Sequence, residues 1–137
     1  MLMTRSRDAV ESCPVYMASR ILGKRWTILI LQSLMKPDDG EGLRFSQLHR
    51  DLTWVSPKVL TQRLRELEAE EIVQRSVDAA SIPPKVSYIL TRKGEALRKI
   101  LVMMQEWGIQ YGGEDTKGCM GQGEGFSNCQ NCMEAHF

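Results

Sequence analysis

One stretch leaves this chain little freedom: Ser56 to Glu71, SPKVLTQRLRELEAEE. Ser56 suits an N-cap, and Pro57 suits the first helical turn, where its missing N–H would have had no partner anyway. Leu60, Leu64 and Leu67 recur at i, i+4 and i+7, so they form one helical stripe that must be buried. Lys58, Gln62 and Arg65, with Thr61 beside them, occupy the opposite face.

The charges on this predicted helix run against its dipole. Lys58, Arg63 and Arg65 lie in the first half, and Glu66, Glu68, Glu70 and Glu71 in the second. A helix favours anions near its N-terminus and cations near its C-terminus, by about 0.3–1 kcal/mol for each exposed charge. The helix's own stability therefore does not account for the order. A polyanion against the N-terminal half does, because phosphates gain from the cations and from the free N–H groups together. A solvated amphipathic helix with no partner is the other reading of the same residues.

Nothing global announces nucleic acid, since the formal net charge of the 137 residues is only +1. The asymmetry is local: Arg44, Arg50, Lys58, Arg63 and Arg65 face Asp51 alone, and four glutamates follow between Glu66 and Glu71. The length suits one domain with a real core, and 42% apolar with 26% charged residues is ordinary for a globular chain. Met1 to Asp8 is polar and the longest apolar run is Ile100 to Met104, so neither a targeting segment nor a membrane span is expected. The expectation is a cytoplasmic protein with no membrane partner and with cysteines held as thiols.

Three regions follow: a flexible lead over 1–12, a folded domain over 13–112 and a Gly/Cys-rich tail over 113–137. Val15, Ala18, Ile21 and Leu22 predict one helix, and Trp26, Leu29, Ile30 and Leu34 a second. Pro37 to Gly42 is dense in turn formers. Leu43-Arg44-Phe45 reads as extended, with Ser46 capping a short helix to about Leu52. That helix and the one starting at Pro57 make a helix-turn-helix pattern. Residues around Val73–Val77 and Val86–Leu90 alternate as strands, with Asp78 to Pro84 as a hairpin tip. This hairpin is a wing, and Ser81 and Lys85 on it are placed to touch DNA backbone or minor groove. Thr91 is expected to cap one long final helix with Leu97, Ile100, Leu101, Met104, Trp107 and Tyr111 along one stripe, read as a dimer face. The fold class is thus mainly α with a small β hairpin (α+β): a winged helix-turn-helix with a long terminal dimerisation helix.

Five motifs now stand in order: Cys13-Pro14-Val15, Gly23-Lys24-Arg25-Trp26, Arg44-Phe45-Ser46-Gln47-Leu48, Leu60 to Glu68, and Pro83-Pro84-Lys85-Val86-Ser87-Tyr88. Together, over roughly residues 13–111, they resemble the HxlR family of winged-helix transcriptional regulators, which is related to MarR proteins. The resemblance implies a homodimer on a pseudo-palindromic operator, with the Ser56–Glu70 helix in the major groove and the first and last helices forming the dimer. It also implies a redox- or electrophile-sensing cysteine at Cys13, which stands in the family's Cys-Pro context. Two features depart from the pattern. The family's Gly is replaced by Glu71, which at positive φ costs roughly 1 kcal/mol unless the turn differs. The loop from Pro37 to Gly42 is also longer than usual.

The expected DNA face comprises Lys58, Thr61, Gln62 and Arg65 toward bases, with Ser56, Arg63, Arg44 and Gln47 toward phosphates and Lys85 on the wing. Cys13 begins a helix, where a thiol is either activated by the N-terminus or simply buried at the dimer seam. In the tail, Cys119, Cys129, Cys132 and His136 have the donor set for zinc; an iron–sulfur cluster, a Cys129–Cys132 redox pair and no role at all also fit. No nucleophile elbow, phosphate loop or placed carboxylate pair suggests an enzyme. The alternative function is a winged-helix module that binds protein rather than specific DNA.

Overall fold

The computed structural model describes residues 4–35 and 40–116. In chain order the elements are α1 (Arg7–Glu11), α2 (Pro14–Leu22), α3 (Thr27–Leu34), β1 (Leu43–Arg44), α4 (Phe45–Asp51), α5 (Pro57–Ala69), β2 (Val73–Asp78), β3 (Lys85–Leu90), α6 (Arg92–Glu95) and α7 (Arg98–Tyr111), with a 3₁₀ turn at Gly113–Thr116. The leucine stripe of α5 is the centre of the core, with Leu60, Leu64 and Leu67 all at most 1% exposed. Ile30, Leu31 and Leu34 of α3, Leu48 of α4, Val55 of the link and Leu101 of α7 close around it. Each such burial is worth roughly 1.5–3 kcal/mol, which outweighs the adverse order of charges along α5.

The sheet has the order β1-β3-β2 and is antiparallel throughout. The β2–β3 register runs from Val73↔Leu90 at the base to Asp78↔Lys85 at the start of the hairpin tip, as the alternation of residues predicts. β1 adds a third strand through Leu43↔Tyr88 and Arg44↔Ser87, where the sequence suggests only a short extended piece. Gly42 makes this edge possible: its φ is 81°, and a Cβ there would meet the Tyr88 carbonyl oxygen at 2.5 Å. The mainly helical winged helix-turn-helix with a small sheet is as expected.

Local details differ from the sequence reading. Helix α4 begins at Phe45, not after Ser46, and Gln47 Oε1 accepts the Arg44 N–H at 2.8 Å at its start. Within the expected lead, α1 forms a short turn whose cap, Ser6 Oγ, accepts the Ala9 N–H. The final helix comes in two pieces. Thr91 Oγ1 caps only the four-residue α6, accepting the Gly94 N–H at 3.1 Å, and α7 starts anew at Arg98. Within α6, Gly94 lies against the Ile72 carbonyl oxygen, where any Cβ would collide. The break divides the expected stripe: Leu101 is buried and Leu97 packs on the core, while Ile100, Met104, Trp107 and Tyr111 stay exposed.

Glu71 does take the left-handed conformation, with φ 60°. The Ile72 N–H bonds to the Leu67 carbonyl at 2.9 Å and the Glu71 N–H to the Glu68 carbonyl at 3.0 Å, a complete Schellman ending for α5. The Thr91 hydroxyl donates to the carbonyl oxygen of Glu71 at 2.6 Å, and Lys93 Nζ to that of Glu70 at 2.7 Å. These bonds hold a side chain where the backbone prefers glycine.

Candidate nucleic-acid interface

On the outer face of α5, Lys58, Gln62 and Arg65 are exposed and Thr61 is half-buried. The helix opens with Ser56, whose Oγ accepts the Val59 N–H at 3.2 Å. Ser56 thus satisfies one of the free N–H groups of the first turn itself. Gln62 leans along the helix and donates from Nε2 to Glu66 Oε1 at 3.1 Å. The side chains of Lys58 and Arg65 make no hydrogen bond or ion pair with any described residue.

An open cleft of about 920 Å³ lies between α4 and the outer side of the wing. It brings together Arg44 and Gln47, expected from the sequence to contact phosphate, and Lys85, expected to touch DNA backbone or minor groove. Arg50 joins them, and the sequence reading did not single it out. Its spacing from Gln47 is the signal that was there, because i and i+3 share one side of a helix. Asp78 also lines the cleft. The Ser81 hydroxyl and the Ala80 N–H both donate to its carboxylate and, with the nearby Lys85 charge, hold its pKa below the usual range. Ser81 therefore serves the hairpin turn.

Arg63, expected from the sequence to contact phosphate, is bonded within the protein: its Nε donates to the Arg25 carbonyl at 3.0 Å, and its terminal nitrogen to both Glu66 oxygens at 3.1 and 3.2 Å. At about 100° per residue it lies on the other side of α5 from Arg65. Lys24 reaches the same Glu66 at 3.3 Å, and Arg20 pairs with Glu70 at 3.7 Å. Partial burial works to raise the Glu66 pKa, but the bonds from Gln62 and Lys24 and the charges of Arg63 and Lys24 outweigh it, so the net shift is downward. This flank ties α5 to α2 and to the turn after it. Trp26 at the end of that turn has φ 74°, carries the Arg25 guanidinium 4.4 Å from its ring centre and meets Trp54 edge-on at 4.7 Å.

Cys13 is the N-cap of α2 and is half-buried. The backbone N–H groups of Tyr16 and Val15 lower its pKa most and the charge of Arg5 adds to them, against a smaller opposing effect of burial. On the same helix Val15, Tyr16 and Met17 are exposed, as are Ile100, Met103, Met104, Trp107 and Tyr111 on α7. The candidate metal set of Cys119, Cys129, Cys132 and His136 lies outside the described residues, within which no group of three potential ligands occurs. No helix among the described residues is long and apolar enough to cross a membrane.

Comparison with known proteins agrees with this geometry. The HxlR-like helix-turn-helix family model matches residues 21–116. The HTH-type transcriptional regulator YodB of Bacillus subtilis is 43% identical over 100 residues, covering 72% of this chain and 85% of the relative. The solved reduced form of YodB superimposes with a TM-score of 0.62 at 42% identity, covering 72% of this chain and 93% of that one. The redox regulator HypR in its oxidized form gives a TM-score of 0.60 at 36% identity, covering 72% of this chain and 96% of that one. From its motifs, its fold and these likenesses, the chain belongs to the HxlR-like helix-turn-helix family of transcriptional regulators.

Proposed function

We propose that this regulator binds a specific, pseudo-palindromic duplex as a homodimer, with α5 in the major groove and the wing alongside. The observation that carries the reading is the division of cations on α5: Arg63 is bonded inward, whereas Lys58 and Arg65 stand exposed with no described partner. Thr61 and Gln62 share their face and supply neutral donors and acceptors for base edges. Arg44, Gln47, Arg50 and Lys85 line the cleft between α4 and the wing, where their three cations outnumber the carboxylates of Glu41 and Asp78 and a phosphate strand would pass. The exposed apolar side chains of α2 and α7 supply the surface that a second copy would cover.

Cys13 is proposed as the sensing thiol. The relatives' structures include YodB in reduced, diamide-treated and quinone-bound forms, and HypR in reduced and oxidized forms. In this chain the N-terminus of α2 lowers the Cys13 pKa, which raises the thiolate fraction available to oxidants and electrophiles.

The test is selection from a random duplex pool by the full-length protein, followed by fluorescence anisotropy at several salt concentrations. The selected duplex should bind far more tightly than random DNA, with affinity falling steeply as salt rises because counterions return to the phosphates. Equal affinity for selected and random duplexes contradicts the reading.

A further inference from the structure

A small cavity of about 160 Å³ opens between α2 and the second half of α5, on the flank that carries the Arg63 brace. Two rows of charge line it. Arg20 and Lys24, four positions apart, bring cations from α2 and the turn after it; Glu66 and Glu70, also four apart, bring carboxylates from α5 and its C-cap. The rows pair across the gap, Lys24 with Glu66 at 3.3 Å and Arg20 with Glu70 at 3.7 Å. The two pairs are not alike. Glu66 is also held by Gln62 and Arg63, whereas the Glu70 carboxylate meets only Arg20 among the described residues, at a distance too long for a hydrogen bond. Those two side chains are 57% (Arg20) and 36% (Glu70) exposed, so parting them costs little. Ile21, Leu67 and Ala69 supply apolar walls, and Thr27, the first residue of α3, completes the lining. Thr27 is 2% exposed, and its Oγ1 has no hydrogen-bond partner among the described residues. A buried hydroxyl left without a partner costs stability, and the cavity beside it is where one can be supplied.

We infer that this cavity binds a small zwitterion, an α-amino acid with a short apolar side chain. The inference goes beyond the DNA-binding reading and does not depend on it. Size sets the first limit, since a cavity near this volume accepts a molecule of about benzene's size, which alanine and valine match. Charge sets the second. A lone anion would face Glu66 and Glu70, and a lone cation would face Arg20 and Lys24. An uncharged hydrocarbon would leave the Thr27 hydroxyl unserved. A zwitterion entering between Arg20 and Glu70 meets both rows. Its carboxylate accepts from the Arg20 guanidinium and the Thr27 hydroxyl, its ammonium donates to Glu70, and its side chain lies against Ile21, Leu67 and Ala69. Charge-assisted bonds of this kind are roughly twice as strong as neutral ones, and here they replace a loose, exposed pair. The occupant thereby links α2, whose N-cap is Cys13, to α5.

The test is an amide chemical-shift titration of the full-length protein with L-valine, and separately with isovalerate, which lacks the ammonium, and isobutylamine, which lacks the carboxylate. L-Valine should give saturable shifts at Ile21, Thr27 and Ala69, and the other two compounds none at the same concentrations. Glu70→Gln and Arg20→Gln should each weaken L-valine by about tenfold or more, the loss of a charged hydrogen bond. Their thermal midpoints should hardly move, because the pair they break is exposed. Thr27→Val should also weaken L-valine, yet raise the thermal midpoint of the free protein, because it removes a buried hydroxyl that has no partner. Absence of a saturable shift with L-valine overturns the inference. So does equal binding of isovalerate, which would make this a site for anions, and so does wild-type affinity in Glu70→Gln and Arg20→Gln. Each of these outcomes leaves the DNA-binding reading as it stands.

Discussion

Arg63 and Arg65 are two residues apart on one helix and have opposite surroundings. Arg63 is bonded to the Arg25 carbonyl and to Glu66, and its side chain is only 20% exposed. Arg65 is exposed and its side chain makes no bond with a described residue. One flank of α5 is an internal brace carrying Arg63, Glu66 and Glu70 against α2 and the turn after it; the other is an open cationic face carrying Lys58 and Arg65. The lesson is that a charge run says little until each charge is assigned to a side. Of the four glutamates, Glu70 pairs with Arg20 of α2 and Glu66 with Lys24 of the turn after it.

The largest expected effect tests the open flank. Replacing Lys58 and Arg65 together with Ala should cost ten- to a thousandfold in affinity for the selected duplex, taking ~1–3 kcal/mol for a good base contact and less for a phosphate. The thermal midpoint should hardly change. Arg63→Ala should show the reverse, with chemical denaturation revealing a loss of about 1–2 kcal/mol from a partly buried charged hydrogen bond. If Arg63→Ala abolishes DNA binding at unchanged stability, the two flanks have been assigned the wrong way round.

A change of comparable size is expected at the apolar surface. Trp107 is 66% exposed and Met103 68%, so a Trp107→Asp, Met103→Asp pair should leave the folded chain intact. Sedimentation should then show a monomer where the wild type shows a dimer. A wild-type monomer would remove the role given to this face.

The turn that ends the braced helix provides a smaller effect. Glu71→Gly should stabilise the fold by roughly 1 kcal/mol in urea unfolding, because glycine adopts φ of 60° without a Cβ penalty. A destabilised Glu71→Gly would mean that the glutamate side chain contributes more than its strain costs.

The pH responses are the smallest. Glu66 has a lowered pKa in the folded chain, so its stabilising effect is present above the unfolded value of about 4.3 and is lost as pH falls through the folded one. Glu66→Gln should therefore flatten the acid limb of the stability curve. For Cys13 the sign favours the thiolate: iodoacetamide alkylation should show an apparent pKa below the ordinary ~8.5. A value at or above it contradicts an activated thiol.

Much of this was legible in the residues. The stripe Leu60, Leu64, Leu67 located the core helix, and the alternation about Val77 and Val86 located the wing. Ser56 with Pro57 marked the start of α5 to the residue. The misses share a cause, contacts between residues far apart in the chain. Arg63 bonds to a carbonyl 38 positions away, and β1 becomes a strand only because β3 lies beside it. The start of α6 is likewise held from a distance, with Thr91 and Gly94 fitted against Glu71 and Ile72, about twenty residues earlier. Periodicity records which side of a helix is apolar; it does not record which distant group a charged side chain will find.

The most direct measurement is amide chemical-shift mapping of the full-length protein titrated with its selected duplex. The largest perturbations should fall at Lys58, Thr61, Gln62 and Arg65, with a second group at Arg44, Arg50 and Lys85. Silence at those positions, with the shifts concentrated instead on α2 and α7, would contradict the account.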